Sequence, residues 1–318
     1  MTIVMSRSFH VEQALALVLT LLLLVAPVAV SNSQTESSLL SQAEAQARRQ
    51  NWSEAETLAR LYLRTSADSG NGHALLGFIL FNQQRSKESM AEYVEAAKYR
   101  DLTASELKTF ALDCAELHLT SDADKWLTQS LEMNPEDPKG WEALGHIKFA
   151  EQRYEEAIKS FRRSLALSPR VVSAETGIGL SYELLSRLGE AKTAYKTAIG
   201  WEALKPHDPT PFHGLGRVLL KQNRPAEALP YLRKAVELGP AVAQAHEELG
   251  KAYSLSNQLA AAESEIERAV QLAPQVARLH FLLGQLYRRA GLMDKAKAEL
   301  DSFAALVGTQ STPDEDAK

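Results

Sequence analysis

Moving along the chain 34 residues at a time returns the same residue types at the same places. Eight units begin at Glu36, Gly70, Ala104, Pro138, Val172, Pro209, Ala243 and Ala277, and one insertion, Pro206-His207-Asp208, interrupts the step. The eighth position reads Ala43, Gly77, Ala111, Gly145, Gly179, Gly216, Gly250 and Gly284. With 16 Gly in 318 residues, chance places fewer than one glycine among those eight sites, yet six occur. The twentieth position reads Ala55, Ser89, Ala123, Ala157, Ala191, Ala228, Ala262 and Ala296. A period of this length means a stack of small supersecondary units, none able to bury its apolar face alone.

The units are helical. In the fourth, Trp141, Leu144 and Gly145 fall at i, i+3 and i+4, and Ala157, Phe161 and Leu165 at i, i+4 and i+8. These are two amphipathic stripes. Glycine in a helix costs about 1 kcal/mol of propensity, so six in register require close helix approach to offset it. Pro135, Pro169, Pro240 and Pro274 end the second helices, because proline cannot continue one. Gln152-Arg153 and Gly291-Leu292 mark turns inside units, and no long alternating run points to sheet. The fold class is all-α.

Trp141, Leu144-Gly145, Tyr154, Ala157, Phe161 and Pro169, with Tyr182, Tyr253 and Tyr287 at the eleventh position of other units, resemble the tetratricopeptide repeat family. Lys148 departs from that pattern. The resemblance covers nearly all of residues 32–310. It implies two antiparallel helices per unit, a right-handed superhelical solenoid of about eight repeats, and a concave groove that binds protein or peptide. The ends depart from the pattern, as ends without a neighbour must. Gln42 and Gln46 read as a solvated cap, and the outer face near Leu300, Phe303 and Leu306 is left partly bare. The third unit is weak, with Leu107, Ala111 and Cys114 at the Trp, Gly and Tyr positions.

Before the repeats, Arg7 precedes a charge-free run from Ala14 to Val30, and Ala29-Val30-Ser31 ends in small residues. Residues 1–31 therefore read as a signal peptide or, uncleaved, an N-terminal membrane anchor. The protein is expected to be exported: periplasmic, secreted, or anchored in the inner membrane and facing outward. Residues 311–318 form a polar acidic tail. The single cysteine, Cys114, excludes an internal disulfide and a cysteine-cluster metal site, and it falls on a core-facing position. A net charge of −5 gives no basic footprint for nucleic acid.

Chemical motifs are absent. His73, His246 and His280 share the fourth position with Trp141 and Phe212, which reads as half-buried packing rather than metal ligation. His246-Glu247-Glu248-Leu249-Gly250 lacks the second histidine of a zinc-protease helix. Gly177-Ile178-Gly179 and Gly214-Leu215-Gly216 lack the later glycine of a dinucleotide loop. The acidic run Glu263, Glu265 and Glu267 reads as solvated helix surface. No catalytic residue, metal or cofactor is expected, and the chain reads as a non-enzyme.

Function is then expected in the groove, which the resemblance lines with first-helix positions 2, 5, 9, 12 and 13. Projected here, these give Phe78, Phe81, Asn82, Leu112, His146, Phe149 and Leu180, followed by Arg217, Lys221, Lys251, Arg278, Gln285, Arg288 and Arg289. An aromatic stretch precedes a cationic one, suited to an extended and acidic protein segment. The Lys–Asn pair with which some family members hold a C-terminal carboxylate matches none of the eight units. The expected function is a non-catalytic scaffold or adaptor of the cell envelope. The alternative is a membrane-tethered assembly factor for envelope polysaccharide or secretion machinery.

Overall fold

The computed structural model describes residues 38–202 and 206–310. The signal or anchor segment at 1–31 and the tail at 311–318 lie outside them. Each helical hairpin closes on one residue held in the left-handed region: Gln50, Gln84, His118, Gln152, Ser186, Asn223, Asn257 and Gly291, with φ from 56° to 79°. All are the fifteenth residue of their unit. A left-handed residue ends a helix by turning the chain away from its axis, so the repeated turn fixes the repeated hairpin.

The helices divide into two compact units between Pro135 and Glu136. The first contains α1 (38–48), α2 (Trp52–Thr65), α3 (Gly70–Asn82), α4 (Ser86–Ala97), α5 (Ala104–Glu116) and α6 (Thr120–Met133). The second contains α7 (Pro138–Ala150), α8 (Tyr154–Leu167), α9 (Val172–Leu184), α10 (Leu188–Trp201) and α11 (Thr210–Lys221), then α12 (Pro225–Leu238), α13 (Ala243–Leu255), α14 (Leu259–Leu272), α15 (Ala277–Arg289) and α16 (Met293–Gln310). Among the described residues there is no strand. The result is the all-α, helical-repeat architecture the period predicts. From Gly70 onward, hairpin starts match the expected units to within one residue.

The small positions are seats for large side chains, rings in three units and Leu232, Ile266 and Leu300 in three others. A Cβ on Gly145 would lie 2.6 Å from the Phe161 ring, and one on Gly177 would meet the other edge of that ring at 2.6 Å. Tyr195 sits likewise between Gly179 and Gly214, at 2.7 and 2.4 Å. The glycine pairs that superficially suggest a nucleotide loop are thus seats for large side chains: Gly177 and Gly214 face the ring of the unit before, Gly179 faces Tyr195 of its own unit, and Gly216 faces Leu232. Phe161 and Tyr195 are fully buried in a core that also takes in Ile158, Leu215 and Leu232. Every residue at the twentieth position is buried, so paired helices meet there backbone to backbone. Burying a large side chain completely contributes roughly 1.5–3 kcal/mol, more than the propensity cost of a glycine seat.

Cys114 is fully buried, and burial pushes its thiol pKa up to about 11, leaving it inert. Gln42 is exposed, as a cap requires. Phe303 is half-buried, its ring tilted against Phe281 at 5.2 Å, so α15 covers part of the face expected to be bare. The acidic run on α14 is not a solvated surface. Glu263 lies 3.7 Å from Lys295, Glu265 lies 2.7 Å from the His246 ring, and Glu267 accepts from the Tyr287 hydroxyl at 2.5 Å. The run faces neighbouring helices, so each carboxylate ties two elements together.

Candidate peptide-binding groove

First helices lie side by side in the second unit: α7 touches α9, α9 touches α11, and α11 touches α13. Small residues at the eighth position draw the second helices onto one side of this row. The side chains at positions 9, 12 and 13 are left to form its other face. His146 is open to solvent there, yet its ring meets Phe161 edge-on at 4.9 Å, and surrounding protein lowers its pKa. Phe149 is half-buried against the core and edge-on to Tyr154 at 5.5 Å. In the first unit, Phe78 is exposed and meets Trp52 at 6.0 Å, lining a cavity of about 320 Å³ with Glu44 and Asn71. Phe81 and Asn82 are half-buried, and the Asn82 amide donates to the Phe78 carbonyl at 2.8 Å.

The late cations do gather, and buried acids hold most of them. Glu183 on α9 is nearly sealed from solvent. It accepts two bonds from Arg217 at 2.7 Å, one from Lys221 at 2.8 Å and one from the Tyr195 hydroxyl at 3.1 Å. Burial alone would raise its pKa, but Arg217 and Lys221 outweigh it and hold the carboxyl below the usual range. Glu247, also sealed, pairs with Lys251 and with Arg278, each at 2.7 Å. Lys251 lies 3.5 Å from Glu248 as well. Arg289 donates to the Ser254 hydroxyl at 2.6 Å, and Arg288 is exposed. His213, beside this network, is desolvated and close to Arg217, which pushes its pKa down to about 4 and keeps it neutral.

A pocket of about 430 Å³ opens between α11, α13 and α15. Arg217, Lys221, Lys251 and Arg289 reach into it over a wall that includes Leu220, Leu255 and Leu282. Leu255 is 58% exposed, an unusual position for a large aliphatic side chain. Counting Arg278, five cations face three carboxylates here, a surplus of two positive charges. The arrangement can accept an acidic group and an aliphatic one together. Projection found the cations of this pocket. It missed Glu183, Leu255 and Leu282, although Glu183 at position 12 stands 34 residues before Arg217.

Models of the tetratricopeptide repeat match residues 138–171, 213–276 and 256–311. The chain is a tetratricopeptide repeat protein. The Caenorhabditis elegans cell division cycle protein 27 homolog is 25% identical over 194 residues, 60% of this chain and 24% of that protein. The Rhizobium meliloti cytochrome c-type biogenesis protein CycH is 32% identical over 118 residues, 36% of this chain and 30% of that one. The chain therefore spans less than a third of either curated relative. A solved tetratricopeptide repeat protein from Parabacteroides merdae covers 80% of this chain and 98% of its own, at 18% identity and a TM-score of 0.59. That likeness supports the fold.

Proposed function

We propose that this tetratricopeptide repeat protein is a non-catalytic adaptor of the cell envelope that holds an extended, acidic protein segment on its late first helices. Repeats of this family are protein-interaction scaffolds. The observation that carries the finer reading is the pocket between α11, α13 and α15, where surplus positive charge borders exposed leucine. Charge at the rim steers an acidic partner, and aliphatic contact retains it. Phe149, further up the same row, offers a second apolar contact. The envelope assignment is supported by Arg7 and the apolar run Ala14–Val30.

The similarity to a cytochrome c-type biogenesis protein supports a second reading, a membrane-tethered assembly factor. One experiment addresses both. A photo-crosslinking residue at Leu255, with the full chain in its native envelope, is expected to trap a protein partner through an acidic segment. Finding the chain membrane-bound with residues 1–31 retained would favour tethering, and a processed soluble form the free adaptor. Partners trapped equally well from an outward position on α14 would overturn the pocket as the binding site.

A further inference from the structure

The fourth position of three units is histidine, and all three rings make the same two contacts. Nδ1 lies 2.7 Å from Glu92 in His73, 2.7 Å from Glu265 in His246 and 2.6 Å from Glu299 in His280. Nε2 lies 2.9 Å from the Ala67 carbonyl, 3.1 Å from that of Pro240 and 2.9 Å from that of Pro274. The carboxylate belongs to the second helix of the same unit, and the carbonyl to the loop that ends the unit before. Side-chain exposures of 14, 8 and 12% leave water little access.

Both partners of each ring are acceptors. A neutral imidazole has one N–H to offer two of them, and an imidazolium has two. Deprotonation therefore strands one acceptor against a bare nitrogen in a half-buried site, which is unfavourable. We propose that protonated His246 and His280 lock α13 and α15 to the units before them and so hold the pocket between α11, α13 and α15 in shape. This rests on reading that pocket as the ligand site. As pH rises and the rings lose a proton, one strap at each junction lets go.

The surroundings are defined for each ring. From α14, His246 meets Glu265, while Arg268 one turn on donates to Gln271. From the α12 side it meets the Pro240 carbonyl. Its neighbours Glu247 and Glu248 are engaged with Lys251 and Arg278. His280 meets Glu299 from α16 and the Pro274 carbonyl from the α14 side, and Arg278 on its own helix reaches Glu247. His73, in the other unit, is an internal control. Burial works against its protonation, but Glu92 and the Ala67 carbonyl outweigh it, with Glu95 adding to them, and its pKa is raised. At His73 this raised folded pKa gives a contribution complete below the ordinary value of about 6.5 and lost as pH rises through the folded one.

The test is nitrogen-15 NMR of the histidine rings of the full chain at pH 7.5, where an ordinary imidazole is mostly neutral. Two N–H groups are expected on His73, His246 and His280. Hydrogen exchange of 239–246 and 273–280, normalised for intrinsic rate, should show opening rise at least threefold between pH 6.5 and pH 9. That rise should vanish in the His246→Gln/His280→Gln double variant. A single N–H on His246 or His280 at pH 7.5, or exchange that is flat in the wild-type chain, overturns the lock. The NMR needs no variant, so a double variant that misfolds leaves the test intact. Neither readout needs a ligand, so failure to trap a partner at Leu255 bears on the pocket alone.

Discussion

Arg217 grips Glu183 through two nitrogens, each 2.7 Å from a carboxylate oxygen, across the junction between α9 and α11. The carboxylate is sealed and the guanidinium half-buried, so neither has water as a ready substitute. Glu183→Ala should therefore destabilise the second unit by roughly 1–3 kcal/mol, less than a fully buried pair because Lys221 remains solvated. Because the Glu183 pKa is lowered on folding, its contribution is complete above the unfolded carboxylate value. It is lost as pH falls through the folded one. Urea denaturation of the wild type and variant between pH 3 and pH 7 should converge at the acid end, and parallel curves would show the pair to be energetically silent.

Two glycine-to-alanine changes should move stability in opposite directions. Gly145→Ala drives a methyl to 2.6 Å from the Phe161 ring, whereas a Cβ on Gly200, in α10, would meet nothing within 4 Å. The first should cost about 1–3 kcal/mol by overpacking, and the second should gain up to about 1 kcal/mol of helix propensity. Gly179→Leu, against Tyr195, should be worse than Gly145→Ala. Thermal melts of the three variants decide the matter.

Gln152 turns its hairpin at φ 60° with a full side chain. Gln152→Gly relieves that backbone at some entropic loss in the unfolded chain, a net gain of about 0.5 kcal/mol. An unchanged or lower melting temperature would mean that the Gln152 side chain contributes more than its backbone costs.

Capture and retention should separate in the groove. Arg288→Glu with Arg289→Glu reverses exposed rim charge without placing a third carboxylate beside Glu247 and Glu248, as Lys251→Glu would. Surface plasmon resonance on the crosslinked partner should show slower association and a flatter salt dependence for the Arg pair. Phe149→Ala should instead shorten the lifetime of the complex by ~1–3 kcal/mol.

Export predicts that a reporter active only outside the cytoplasm, fused after Ser41, gives signal, and that a processed chain begins near Asn32. An inactive fusion would remove the envelope from the proposed function.

The fold was legible because the period repeats its own evidence eight times. Hairpin starts, the buried Ala and Gly positions and the turn at Gln152 all recur, so local ambiguity in one unit is settled by the others. The site was legible only by halves, because partners that occur once have no period. Projection placed Arg217 and Lys251 on one face, but not the acids beneath them, since pairing depends on side-chain reach between helices. The histidines do carry a signal of their own. Each is followed 19 residues later by Glu92, Glu265 or Glu299, and Glu265 is hidden in a run that looks like ordinary surface.

The ring seats also write an order into the chain. Gly177 and Gly214 occupy the sixth position of their units, facing Phe161 and Tyr195 of the unit before. Elsewhere the sixth position is Leu75 after Ala59, and Thr109 after Tyr93. Behind the rings of Tyr93, Phe161 and Tyr195 the sixth position is small, and behind Ala59 it is large, so these units are cut to fit their predecessors. A duplication that pasted the hairpin beginning at Ala243 behind Phe161 would set Glu248 where the ring needs Gly177. Such a chain would keep the period and lose the core. These hairpins are alike enough to have arisen by copying, and they are now too individual to be reshuffled.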